Sequence, residues 1–200
     1  MKIGVLGGTF DPIHKGHLIV AEEARNRLNL DGVLFVPAGE PWLKAGRPIS
    51  DAEHRVQMIR LAIANKPYFK LSTMEIERPG PSYTVDTIAE LRAQLDREDE
   101  LFFVLGWGNL VELPQWHEPA RLIEMCYLVA VPRPGSPRPD LEPLEPLIPG
   151  LSRKVIFLEK PEIDISASAI RSRVAQGLPI QHLVPEPIDK YIREHKLYIR

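Results

Sequence analysis

The chain of 200 residues carries one cysteine, Cys126, so no disulfide can form within it. Cys126 sits in the apolar run from Met125 to Val129 and reads as a small buried hydrophobe. A chain without disulfides fits a reducing cytoplasm. No stretch approaches the ~20 consecutive apolar residues that a membrane span needs, and the apolar start, Ile3 to Leu6, is too short for the core of a signal peptide. A soluble, cytoplasmic protein with no membrane partner is therefore expected. Charge of one sign is also lacking, since 25 Lys and Arg face 27 Asp and Glu. That balance gives no overall attraction to nucleic acid, so a phosphate-bearing ligand must be held by a local set of donors. Two common phosphate loops are missing as well. No Gly-Lys-Ser/Thr follows the first glycines at Walker spacing, and Gly4, Gly7 and Gly8 do not make G-x-G-x-x-G. There is no internal repeat and no heptad pattern.

What is present alternates strand and helix. Ile3 to Leu6 is a short continuous apolar run that stops at two glycines, as a buried parallel strand feeding a tight loop does. Leu18, Ala21, Ala24 and Leu28 form one apolar stripe of a helix. Val33 to Val36 is a second strand, closed by Pro37, and Ser50 to Glu53 has capping-box spacing that opens a helix running to about Ala64. A short strand is expected over Leu71 to Ile76, a helix from Val85 to Leu95, and strands over 101–105, 127–131 and 155–158. Residues 132–150 are rich in proline and read as an exposed, partly extended excursion. Helices are expected over Ala167 to Gln176 and after Pro187. The pattern predicts an α/β fold, a doubly wound, Rossmann-like parallel sheet in a single domain over 1–200, with a helical C-terminal part over 165–200. Ligands should lie beyond the carboxyl ends of the strands, at the loops after Leu6, Val36 and Leu105.

The loop after the first strand concentrates the chemistry: Gly7-Gly8-Thr9-Phe10-Asp11-Pro12-Ile13-His14-Lys15-Gly16-His17. Glycines let the backbone approach a ligand closely, and the helix that begins near Gly16 turns its positive end toward the loop. Two histidines three apart would face one side. A protonated or donor imidazole there can hold triphosphate oxygens and stabilise charge developing on leaving pyrophosphate. A zinc site lacks a nearby third ligand.

Gly8-Thr9-Phe10-Asp11-Pro12-x-His14-x-Gly16-His17 resembles the first signature of the HxGH nucleotidyltransferase superfamily. Ile165-Ser166-Ala167-Ser168-Ala169-Ile170-Arg171 resembles its second, I-S-x-T-x-I-R. The whole chain further resembles the bacterial nicotinate-nucleotide adenylyltransferases. The resemblance extends through Pro37-Ala38-Gly39-x-Pro41-Trp42-x-Lys44, Arg55 and Met58, Ser82-Tyr83-Thr84-Val85-Asp86-Thr87, Leu113-Pro114-Gln115-Trp116 and the tail to Tyr198.

That resemblance implies transfer of AMP from ATP onto nicotinate mononucleotide, with Mg²⁺ arriving on the ATP and no dedicated protein metal site. It implies ATP binding by Gly8, Thr9, Phe10, His14, His17, Gly106, Ser166, Ser168, Ile170 and Arg171, with His14, His17 and Arg171 as the catalytic set. It implies acceptor binding by Lys44, Tyr83, Thr84 and Trp116, the indole stacking on the pyridinium ring. One departure stands out: the family pattern G-x-D after the fourth strand reads Gly106-Trp107-Gly108-Asn109 here, so a carboxylate expected to hold ribose hydroxyls is absent. Alternatives are another phosphorylated acceptor, nicotinamide mononucleotide or phosphopantetheine, and a non-catalytic nucleotide sensor. Oligomeric state, a homo-oligomer included, is not legible.

Overall fold

The computed structural model describes residues 1–41 and 48–199. Six strands form one sheet: β1 (Lys2–Gly8), β2 (Gly32–Pro37), β3 (Phe69–Leu71), β4 (Glu100–Gly106), β5 (Tyr127–Val131) and β6 (Val155–Phe157). Their order is β3-β2-β1-β4-β5-β6, and every pairing is parallel. Among the described residues eight α-helices connect and cover them: α1 (Lys15–Leu28), α2 (Ala52–Ile63), α3 (Met74–Glu77), α4 (Thr84–Ala93), α5 (Trp107–Val111), α6 (Pro119–Met125), α7 (Ala167–Ala175) and α8 (Glu186–Glu194).

The near-continuous apolar strands are explained by burial on both faces. Side chains alternate between two cores. Leu6, Phe102, Val104 and Val129 join Ala21, Ile59, Ile170 and Ile188 on one face. Val5, Phe103, Leu105 and Leu128 join Val85, Ile88, Leu110 and Leu122 on the other. Each fully buried large apolar side chain contributes roughly 1.5–3 kcal/mol. The expected doubly wound sheet is the one observed. The chain leaves β1 toward β2 on one side and reaches β4 on the other, so the strand order reverses between β1 and β4. A crevice at that point is where such sheets take ligands.

Two expectations need correction. Only Phe69–Leu71 is strand, and Met74–Glu77 is a helical turn, although Leu71 to Ile76 was expected to be extended. The cause is local: the Ser72 hydroxyl accepts the Met74 N–H at 3.4 Å, and the Thr73 carbonyl accepts the amides of Ile76 and Glu77. The proline-rich stretch is also not wholly an excursion. Leu144 and Ile148 are buried in the second core with Leu151, while Leu141 packs beside them. These residues are spaced three, four and three apart, and successive turns gather them onto one side. Among the described residues no helix is long and apolar enough to cross a membrane.

Candidate active site

Beyond the carboxyl ends of β1 and β4 opens a cleft of about 360 Å³. Gly7 and Gly8 at the end of β1, Thr9 just after it, and Leu105 and Gly106 of β4 lie at its centre. On the β2–β3 side it is lined by Ala38, Pro41, Glu75, Ser82 and Thr84, with Trp116 and Phe103. On the β5–β6 side it is lined by Val131, Pro132, Ile163 and Ile165. His14, Gly16 and His17 at the start of α1 complete the wall.

The two histidines act as a unit. Their rings stack with centroids 3.7 Å apart and 24° between planes. The His14 backbone N–H donates to His17 Nδ1 at 3.2 Å, which places the proton of a neutral His17 ring on Nε2. His14 is the N-cap residue of α1 and is 6% exposed. Burial pushes its pKa down from 6.5 to about 4, so the ring is neutral near pH 7. Of the two states the sequence allowed, protonated or neutral donor, His14 takes the second. Its Nδ1 is buried without a hydrogen-bond partner, an unmet demand at the cleft wall. Gly16 is closely hemmed in, since a Cβ would lie 3.0 Å from the His14 ring and 3.0 Å from Ile163, and both side chains would have to give by a few tenths of an ångström. The first turn of α1 offers fewer amides than its sequence suggests: Lys15 N–H donates to the Leu183 carbonyl and His17 N–H to the His14 carbonyl.

Beneath the loop, the buried Arg55 guanidinium donates to the carbonyls of Thr9 (3.0 Å), Ala38 (2.8 Å) and Ser50 (3.0 Å). Burial lowers its pKa, and the charge of Asp11 opposes that shift. The buried Asp11 carboxylate accepts from Tyr198 Oη at 2.7 Å and from Ser50 N–H at 3.2 Å. Arg171 donates from Nη1 to the Asp11 carbonyl at 2.7 Å. It lies with Asp11, Ser50, Gln176 and Tyr198 on a separate pocket of about 780 Å³, not on the lining of the cleft. Phe10 and Ile170 are buried in the first core, Phe10 edge-on to His17 at 4.9 Å. They shape the loop from below and do not line the cleft. Ser166 caps α7 by accepting from Ala169 N–H at 3.2 Å, with Ser168 Oγ 3.5 Å away.

At the β2–β3 end Thr84 opens α4 and lines the cleft, whereas Tyr83 stacks on His117 at 4.3 Å and stands behind that lining. Trp116 meets Phe103 edge-on at 6.1 Å, and its Nε1 is buried without a partner. Lys44 lies outside the described residues.

A family model described as cytidylyltransferase-like matches residues 5–173. A probable nicotinate-nucleotide adenylyltransferase of Dehalococcoides mccartyi (strain CBDB1) is 52% identical over 200 residues, covering 100% of this chain and 98% of that protein. Another with the same name, from Roseiflexus sp. (strain RS-1), is 47% identical and covers 98% and 97% respectively. The chain belongs to the cytidylyltransferase-like family. A solved Plasmodium falciparum nicotinic acid mononucleotide adenylyltransferase complexed with NaAD superposes with a TM-score of 0.79 at 20% identity, covering 98% of this chain and 97% of that one, which supports the fold.

For this member of the cytidylyltransferase-like family, the position of the absent carboxylate is open space. A Cβ on Gly108 would meet nothing within 4 Å. Asn109 lines the cleft instead, its Oδ1 reaching toward Gly106. Asn109 is the neighbour that the sequence offered as a partial substitute for that carboxylate, whereas Arg55, Glu75 and Ile163 are contributions it did not single out as site residues. Glu75 was obscured by reading its segment as strand. The residue is 8% exposed, and burial raises its pKa against the lowering influence of Thr87, Ser82 and the Arg78 charge. Among the described residues no group of three or more His, Cys, Asp and Glu is arranged to hold a metal ion.

Proposed function

We propose that this chain transfers AMP from ATP to the 5′-phosphate of nicotinate mononucleotide, releasing pyrophosphate and forming the deamido dinucleotide of NAD biosynthesis. The observation that carries this reading is one cleft at the strand-order reversal, holding the glycine loop and the stacked His14–His17 pair opposite Thr84 and Trp116. Relatives that match the chain end to end carry the corresponding name.

An oxygen of the acceptor phosphate attacks the α-phosphorus. The bond from that phosphorus to the bridging oxygen breaks, and the electron pair leaves with pyrophosphate. The acceptor phosphate is already ionised at neutral pH, so no protein nucleophile or general base is needed, and alignment and charge stabilisation do the catalysis. His17 Nε2–H donates to the phosphate that gains charge, with Gly8 and Thr9 backing the triphosphate. Ser166 and Ser168 donate hydroxyl hydrogen bonds to its distal oxygens. Arg171, held by one nitrogen on the Asp11 carbonyl and lining the neighbouring pocket, has further N–H groups that must turn toward the cleft to meet the β- and γ-phosphates. Ile163 and Ile165 flank the nucleoside, and Trp116 takes the flat pyridinium of the acceptor. A cleft in which, among the described residues, the lining carboxyl is that of Glu75, engaged by the Thr87 hydroxyl, suits Mg²⁺ carried by the triphosphate with water ligands rather than a protein cage. When bound, that ion neutralises phosphate charge.

Pyrophosphate release with ATP and a panel of acceptors tests the proposal. Turnover with nicotinate mononucleotide is expected. Turnover only with nicotinamide mononucleotide or phosphopantetheine, or nucleotide binding with no turnover across the panel, contradicts it.

A further inference from the structure

The β2–β3 end of the cleft rests on a buried polar hub. Ser82 Oγ accepts two backbone donors from the loop after β2, Gly39 N–H at 2.9 Å and Glu40 N–H at 3.2 Å. With both lone pairs used, its own proton is left for an acceptor, and Ser82 is one of the groups that hold the Glu75 pKa down against burial. Thr87 Oγ1, in the first turn of α4, donates to Glu75 Oε1 at 2.5 Å while accepting from Arg78 Nη1 at 3.2 Å. Arg78 is held in turn by Glu90 at 2.6 Å. The Ser82 N–H donates to the Glu40 carbonyl at 2.9 Å, and Gly39 lies so close to the Glu75 backbone that a Cβ would stand 2.1 Å from that carbonyl oxygen.

Three separate pieces of chain therefore meet at Ser82 and Glu75: the loop after β2 on the Ser82 hydroxyl, the helical turn α3 that carries Glu75, and the first turn of α4 through Thr87. Between them they set Pro41, Ser82 and Thr84, three residues that line the cleft. Among the described residues, those that line the other end, Val131, Ile163 and Ile165, contribute nothing to the hub.

We infer that Glu75 is a positioning residue for the acceptor, its carboxyl fastening the loop after β2 to the start of α4 so that Thr84 and the amides beside it are held at the distance the acceptor needs. This rests on the activity proposed above and assigns Glu75 no contact with the reacting phosphates. An acid is suited to the position because both neighbouring hydroxyls present protons to it. An amide there turns one N–H toward a hydroxyl whose lone pairs are largely taken, so Glu75→Gln restores the hub only in part.

The test is steady-state kinetics of the full chain with each substrate varied in turn, on Glu75→Ala, Glu75→Gln and Ser82→Ala, with thermal unfolding measured alongside. Glu75→Ala and Ser82→Ala are expected to raise the KM for nicotinate mononucleotide about tenfold, the effect of a lost buried hydrogen bond, while the KM for ATP stays at its wild-type value. Glu75→Gln falls between them and the wild type. An equal rise in both KM values, or a loss of thermal stability with both KM values unchanged, overturns the inference. Should Glu75→Ala fail to fold, Ser82→Ala, which removes one hydroxyl, decides by the same split. If the wild type turns over only another phosphorylated acceptor, the proposed function fails, and the KM for that acceptor becomes the readout for Glu75.

Discussion

His14 couples the phosphate loop to the pH dependence of stability, and its burial fixes the size of the effect. Its folded-state pKa is about 4 against 6.5 in the open chain, a difference of about 2.5 units. Above pH 6.5 neither state carries the proton, and His14 contributes no dependence. As pH falls from 6.5 to 4 the unfolded chain takes up a proton that the folded ring refuses, so unfolding gains ground. Below about 4 both states are protonated and the loss is complete. At 1.36 kcal/mol per unit the total is roughly 3 kcal/mol. Carboxylates add their own pH dependence, so the His14 part is read as a difference between proteins. Urea unfolding of the wild type and of His14→Gln, which cannot titrate, is measured from pH 7.5 to 4. The wild type should lose roughly 3 kcal/mol more than the variant over that range, with the divergence beginning just below pH 6.5. Parallel curves for the two proteins would refute the argument, because they would mean that the buried ring takes its proton as readily as a free one.

Three further outcomes follow from the geometry. His17→Ala removes the Nε2–H donor and should lower kcat by roughly 10²–10³ with the fold intact by circular dichroism; near-normal turnover contradicts the role given to His17. Gly108→Asp places a carboxylate in open space beside Asn109 and, by giving a ribose hydroxyl a charged acceptor, should tighten a non-hydrolysable ATP analogue about tenfold in calorimetry. Unchanged affinity would remove the ribose from that position. Gly39→Ala forces a methyl onto the Glu75 carbonyl oxygen and should cost roughly 1–3 kcal/mol, visible as a lowered midpoint in a thermal melt; an unshifted midpoint argues against the close approach.

Much of the fold could be read from local chemistry. Strands that stop at Gly7 and Gly106 announced both the sheet and the cleft, because burial on two faces demands unbroken apolar runs and the glycines mark where backbone must approach a ligand. His14 and His17 were legible for the same reason: their spacing at a helix start brings both rings to one side whatever the rest of the chain does. What stayed hidden depends on long-range partners. Arg55 reads as one more helical arginine until the carbonyls of Thr9, Ala38 and Ser50 are seen to converge on it. The Asp11 carbonyl, 160 residues from Arg171 along the chain, fixes where that guanidinium points, and no local pattern encodes the pairing. Glu75 was lost because Leu71, Met74 and Ile76 look like strand, while Ser72 and Thr73 turn the chain instead. In the proline-rich stretch, the prolines masked the spacing of Leu144, Ile148 and Leu151, which folds them into the core.

A crystal structure with a non-hydrolysable ATP analogue and nicotinate mononucleotide tests the central claim most directly. A β-phosphate oxygen, or the oxygen that bridges it to the α-phosphate, should lie within about 3 Å of His17 Nε2, the hydrogen-bonding distance, with the acceptor's ring on Trp116 and its phosphate approaching the α-phosphate in line. A triphosphate seated in the other pocket, between Ser50, Arg171 and Gln176 and away from both imidazoles, would contradict it.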